Sequence, residues 1–149
     1  MKLFVFLFSL TLLSCQYQKI SKDEMSKIVK TGNDRLGYLF KKGDADSLAL
    51  MYTSEAKLSL NGYDFTQGRL AIQQLWKDDM INSRVLEMNT QTITVDGTKE
   101  VIYETGKTSL KLSFKDSVFT TTVKYCNIWC LQKDGTYKLD VDFSNSDKK

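Results

Sequence analysis

Between residues 25 and 40 the apolar positions are Met25, Ile28, Val29, Leu36, Leu39 and Phe40, with Gly32 on the same stripe. That spacing is helical. The segment Ile20-Ser21-Lys22-Asp23-Glu24-Met25 supplies a start: Ser21 caps, Glu24 completes a capping box, and Ile20 staples against Met25. Gly43 stops the helix. Asp44 then caps a second, shorter helix, DADSLALMYT, with Leu48, Met51 and Tyr52 on one face. In KLSLNGYDF, Asn61-Gly62 stands between two short apolar runs and predicts a hairpin, because both residues tolerate positive φ. A third helix over 68–81 carries Ile72, Leu75, Trp76 and Met80 as its buried stripe.

Beyond this point the period drops to two. Strands are predicted near 86–95, 99–114, 118–131 and 136–143, joined at Asp96-Gly97, Lys115-Asp116-Ser117 and Asp134-Gly135 into an antiparallel meander. In the second strand Val101 and Tyr103 are odd-numbered, whereas Leu110, Leu112 and Phe114 are even. A change of phase implies a bulge, and Gly106 is the natural place for it. The expected architecture is α+β: three N-terminal helices packed in a strongly curved antiparallel sheet. No repeat or linker divides it.

The first residues read differently. MKLFVFLFSLTLLSC has Lys2, an apolar run from Leu3 to Leu13, then Ser14 and Cys15, the pattern of a secretory signal. The run is too short for a bilayer-spanning helix, which needs ~20 residues. Its ending, L-L-S-C, resembles the lipobox of bacterial lipoproteins. That resemblance implies cleavage before Cys15, acylation of its thiol and a bacterial envelope address, at the outer membrane or cell surface. The expected division is a leader over 1–14, a lipid-anchored tether over 15–19, one domain over 20–146 and a polar tail over 147–149.

Charge and composition narrow the chemistry. Net charge is +3 with no basic block, so nucleic acid is not expected as a partner. There is no histidine, which removes the usual general base and the commonest metal ligand. Cys126 and Cys130 share a predicted strand, where four residues span ~13 Å. A disulfide needs Cα atoms within about 7 Å. The pair therefore reads as small hydrophobes, and as a poor zinc site without further ligands. No metal or cofactor is expected.

Several features in order resemble the nuclear transport factor 2-like superfamily, and within it the uncharacterised bacterial branch near the SnoaL-like and ketosteroid isomerase-like proteins. They are Gly43-Asp44, Tyr52, Ala56, Asn61-Gly62, Gly68-Arg69, Ala71-Ile72 and Trp76 in the first half. Glu104-Thr105-Gly106, Tyr125, Trp129, Asp134-Gly135-Thr136-Tyr137 and Asp142-Phe143-Ser144-Asn145 follow in the second. Tyr137 departs from the tryptophan usual in that branch. The resemblance covers roughly 20–146. It implies a cone-shaped, cystatin-like fold with an apolar pocket inside, and homodimers through the outer sheet face. It implies no particular chemistry, since that fold hosts isomerases, dehydratases and pure binding modules. The isomerases' aspartate base and Tyr/Asp oxyanion hole find no residue-by-residue match here.

Pocket candidates on this reading are Tyr38, Tyr52, Trp76, Tyr103, Tyr125 and Trp129. Catalytic candidates are Glu104, which shares a nominal face with Ile102 and Leu110, and Asp142. In the last strand Tyr137, Leu139, Val141 and Phe143 form one row, and Asp140 and Asp142 the other. Asp142 points into the cone only if the odd row faces outward. Three readings stay open: a lipid-anchored module that binds a small apolar ligand or a protein partner, an enzyme using a carboxylate base and a tyrosine oxyanion donor, and a dimer with a filled cone.

Overall fold

The structure, a computed structural model, describes residues 20–146. The expected leader, the expected lipidation site at Cys15 with its tether, and the tail over 147–149 lie outside the described residues.

The first helix, α1 (Lys22–Lys42), starts where its capping chemistry says: Ser21 Oγ accepts from the Glu24 amide at 3.1 Å. It stops at Gly43, whose φ of 67° lets the chain turn left-handed and whose N–H returns to Leu39 and Phe40. The buried stripe is Met25, Val29, Asn33, Leu36, Gly37 and Leu39. Asn33 is the polar intruder.

The second helix, α2 (Ala45–Ala49), is only one turn long. Residues 52 and 53 were expected to continue it. They begin a strand instead, β1 (Tyr52–Ser59), because the Met51 carbonyl is captured by the Leu139 amide at 2.8 Å. Asn61-Gly62 then turns the chain into a short β2 (Thr66–Gln67), antiparallel to β1. Only afterwards comes α3 (Arg69–Asn82), with Ile72 and Trp76 buried. The expected three N-terminal helices are thus two long helices and a single turn, and the second long helix follows the first hairpin.

Four long strands complete the chain: β3 (Ser83–Gly97), β4 (Val101–Phe114), β5 (Ser117–Leu131) and β6 (Tyr137–Ser146). They form the predicted meander. The whole curved sheet has the order β2-β1-β6-β5-β4-β3. It is mixed rather than wholly antiparallel, since β1 runs parallel to β6.

Two expectations about phase are corrected. Against β5, β4 pairs without interruption from Val101 to Phe114, so Gly106 is not bulged. The bulge lies opposite, in β3, where Ile93 is surplus between Thr92↔Gly106 and Thr94↔Thr105. The even positions of β4 therefore all face inward, and Glu104 is fully buried. In β6, Asp140 is surplus between the pairs Trp129↔Leu139 and Ile128↔Val141. That bulge puts both Leu139 and Asp142 on the inner face. Cys126 and Cys130 are both free thiols on β5.

The core gathers at one end of the cone, around Val29, Leu48, Tyr52, Ile72, Ile102, Trp129 and Leu139. Two glycines make room for it. A Cβ on Gly32 would lie 2.6 Å from the Trp129 indole, and one on Gly106 would meet the Gln91 carbonyl and the Tyr125 phenol.

Gly→Ala in a helix ordinarily stabilises, by roughly 0.5–1 kcal/mol. The Gly32→Ala variant should reverse that sign and cost about 1–3 kcal/mol, because it overpacks against Trp129. At Gly37 the added methyl would find Met88 at 3.8 Å, an ordinary contact, and Gly37→Ala should stabilise. Urea denaturation of the two variants beside the parent checks both signs.

Candidate functional site

Cross-strand rows line the inner face of the sheet, and three of them in succession, counted from the core end, build the site. Ile102, Trp129 and Leu139 are paired across β4, β5 and β6 and form an apolar floor. One step along, Glu104 pairs with Asn127 and Asn127 with Asp142. The next row is Gly106, Tyr125 and Ser144. A polar row therefore separates the packed core from what lies beyond.

Beyond it is a cavity of about 500 Å³. Its body is apolar, with Leu36, Phe40, Leu110, Leu112, Phe119 and Val123 among its walls. Asn33, Tyr125, Asn127, Asp142 and Ser144 supply polar groups at its inner end. The size and the few convergent polar groups are those of a small-molecule site.

Asp142 borders this space directly. Its Oδ2 accepts the Tyr52 hydroxyl proton at 2.7 Å. The residue is half-buried because one side meets the cavity, yet burial is the larger influence and raises its carboxyl pKa, with the Tyr52 hydroxyl opposing. Tyr52 is itself fully buried, and burial together with the Asp142 charge holds its phenol well above the usual range. The Trp76 indole N–H lies behind Tyr52 and makes no hydrogen bond of proper geometry.

Glu104 lies just behind the wall. The Asn33 amide donates to Oε1 at 3.1 Å and to Oε2 at 3.3 Å, and the Thr92 hydroxyl reaches Oε2 at 3.4 Å. These partners are uncharged. Burial raises the Glu104 pKa, opposed first by Asn33, then by the Trp129 indole, Asn127 and Thr92. The Trp129 N–H faces the carboxyl without hydrogen-bond geometry, so its pull is electrostatic. Tyr125 also lines the cavity. Burial pushes its phenol up to about 12, against the Thr92 contact and with the Glu104 charge adding to the rise.

A carboxyl at an apolar boundary with a raised pKa, beside a neutral phenol, is the equipment of general acid–base chemistry. The arrangement is built by strand register, not by a loop.

Of the candidates named from sequence, Asp142, Trp76 and Tyr125 line the cavity. Glu104, Tyr52 and Trp129 stand one layer behind it. Tyr38 and Tyr103 are outside: they are 47% and 43% exposed. Tyr38 faces away from the buried stripe and lies under Arg35 and Lys42. Tyr103 is on the odd, outer face of β4. Two residues that hold the site were missed, Asn33 and Asn127. Both had a signal. Asn33 interrupts an apolar stripe four residues after Val29 and three before Leu36, and Asn127 lies midway between Tyr125 and Trp129 on one face.

No family model matches the chain, and no curated protein does. Solved structures do. A ketosteroid isomerase-like protein from Erwinia carotovora atroseptica superposes with a TM-score of 0.75 at 10% identity, over 87% of this chain and 100% of that one. A protein assigned as a dehydratase of the NTF2-like family from Streptomyces avermitilis gives 0.70 at 15% identity, over 87% and 100%. An NTF2-like protein with a cystatin-like fold from Novosphingobium aromaticivorans gives 0.68 at 14%, over 84% and 83%. At such identities the likeness concerns backbone alone, and on that ground the chain has the nuclear transport factor 2-like, cystatin-like fold.

Proposed function

We propose that the domain binds a small, largely apolar molecule in the cavity and that Asp142 acts on it as a general base. One observation carries this reading: Asp142 stands at the apolar–polar boundary of the cavity, with the Tyr52 hydroxyl 2.7 Å from its carboxyl. Its raised pKa makes it a better proton acceptor once ionised, and the Tyr52 hydroxyl opposes the rise by donating to the charged form. Tyr125 offers a second phenol in the same space, suited to an oxygen on the ligand that gains negative charge. A base and a phenol donor in an apolar pocket fit removal of a proton next to a carbonyl, leading to isomerisation or loss of water. Structural neighbours include a ketosteroid isomerase-like protein and an assigned dehydratase. Their names agree with that chemistry, and at 10% and 15% identity they do not supply it.

A second reading has its own support. The Tyr52–Asp142 pair is closed on itself and is also what a cavity needs to hold a polar ligand without turning it over. On either reading we place the domain at the bacterial envelope, tethered through an acylated Cys15, on the strength of the sequence of residues 1–15.

Three experiments test these statements. Native mass spectrometry of protein from its own host should show a bound small molecule, and β,γ-unsaturated ketones of matching size should be conjugated by the parent protein. Asp142→Asn should slow that conversion by about 10²–10⁴-fold. An equal rate in the variant would remove Asp142 from the chemistry, whereas a bound ligand without any conversion favours the holding role. Separately, Cys15→Ala should move the protein from the membrane to the soluble fraction, and a variant that stays on the membrane would end the tether proposal.

A further inference from the structure

Asn127 stands between the two interior carboxyl groups, and its carboxamide cannot serve both in the same way. Oxygen and nitrogen of the amide are nearly the same size, so hydrogen bonding decides which way it turns. In one orientation Nδ2 donates to Glu104 Oε1 at 3.4 Å, and the amide oxygen then faces the Cys126 carbonyl and Asp142. In the other, Nδ2 donates to Asp142 Oδ1 and to the Cys126 carbonyl, both at 3.2 Å. The second makes two hydrogen bonds, both shorter, and removes an oxygen–oxygen confrontation with the backbone. It also puts the amide oxygen where the nitrogen had been, 3.4 Å from Glu104 Oε1.

That oxygen can be satisfied by Glu104 only if Glu104 carries a proton. Asp142, meanwhile, accepts from Asn127 on one oxygen and from Tyr52 on the other, which is how a charged carboxylate is held. Glu104 has room for the neutral form. Its Oε2 accepts from Asn33 and Thr92, and its Oε1 can carry the proton toward Asn127 while a lone pair still accepts the Asn33 amide at 3.1 Å.

We infer that Asn127 is a positioning residue that sorts charge between the two carboxyls, keeping Glu104 as the neutral acid and leaving Asp142 as the ionised group at the cavity. The two side chains then form one unit with one negative charge between them. This explains how an apolar interior tolerates two carboxyls whose partners are all uncharged: it holds a single charge, and that charge sits at the cavity edge. Burial raises the pKa of Glu104, as its neutral form requires; burial raises that of Asp142 as well, and the hydrogen bonds donated by Tyr52 and Asn127 are what oppose that rise. The other titratable groups facing the pair are Tyr52 from β1 and Tyr125 from β5. Both phenols are shifted upward and stay neutral throughout the range that matters. From α1 and β3 the facing groups are the uncharged Asn33 and Thr92. The assignment concerns the resting protein, and it stands whether or not Asp142 acts on a ligand.

Carboxyl ¹³C NMR on protein labelled at Asp and Glu tests it, with no substrate needed. In the parent protein Glu104 should be protonated and Asp142 ionised at neutral pH. Glu104→Gln copies the neutral acid in shape and hydrogen bonding, so the Asp142 midpoint should stay within about half a unit of the parent value. A fall larger than that would mean Glu104 was charged while Asp142 titrated, since loss of a nearby like charge lowers a carboxyl by a unit or so; the inference would then be wrong. Asn127→Leu removes the donor to Asp142, and the Asp142 midpoint should rise by about one unit or more. An unchanged midpoint there would strip Asn127 of its sorting role. Should that variant fail to fold, the Glu104→Gln comparison still decides where the proton rests.

Discussion

Between Leu139 and Val141, β6 carries one residue, Asp140, that faces no partner in β5. Leu139 and Asp142 are three positions apart, and on a regular strand they would point to opposite faces. The surplus residue brings both inward. Leu139 then completes the apolar row with Ile102 and Trp129, and Asp142 completes the polar row with Glu104 and Asn127. The bulge is pinned from the neighbouring strand: Thr53 donates its hydroxyl proton to Asp140 at 2.7 Å. The pairing of β1 with β6 shifts in the same region, between Tyr52 and Lys57. That irregularity leaves Tyr52 fully buried, with its hydroxyl on Asp142. Core, cavity floor and the candidate base all depend on this single break of register.

The polar row is costly to maintain. A buried carboxyl with an unmade hydrogen bond loses several kcal/mol, and a partly satisfied network is worse than an apolar core. The structure answers with amides and hydroxyls in place of cations: Asn33 from α1, Thr92 from β3, Asn127 from β5 and Tyr52 from β1. Each comes from a different element, so the site also ties the helix to the sheet. Two buried indole N–H groups, on Trp76 and Trp129, end the chain of polar groups and lack good hydrogen bonds. The glycines at 32 and 106 give the large rings Trp129 and Tyr125 the space to reach this layer. An interior arranged this way is less stable than an apolar core of the same size would be.

Much of the architecture was legible because it rests on local signals. Ser21 with Glu24, Gly43, Asn61-Gly62, Asp96-Gly97 and Asp134-Gly135 all mark boundaries that the structure keeps. Helix α3 shows its stripe in Ile72 and Trp76. What failed was set by distant partners. Tyr52 has helical spacing with Leu48, and only the β6 backbone draws it into a strand. The phase of β4 was misread because exposed Val101 and Tyr103 look like core residues, while the true inward positions include a glutamate and a glycine. The β6 bulge has no glycine to announce it, so the orientation of Asp142 stayed open. Yet one part of the site was within reach. The two-residue turn Lys115-Asp116 joins Phe114 to Ser117, and pairing outward from it brings Glu104 opposite Asn127.

The central claim is that the interior carboxyls lie among uncharged groups and gain no cation on folding. The stability difference between the parent and Glu104→Gln, followed by denaturant unfolding across pH, tests this most directly. Below the ordinary glutamate value of 4.5 both folded and unfolded chains hold the proton, and the difference is constant. As pH rises above it, the unfolded chain ionises while folded Glu104 lags, so the parent should lose stability relative to the variant until the raised folded midpoint is passed. A parent that instead gains on the variant over that range would mean the carboxylate is stabilised inside, and the account would be contradicted.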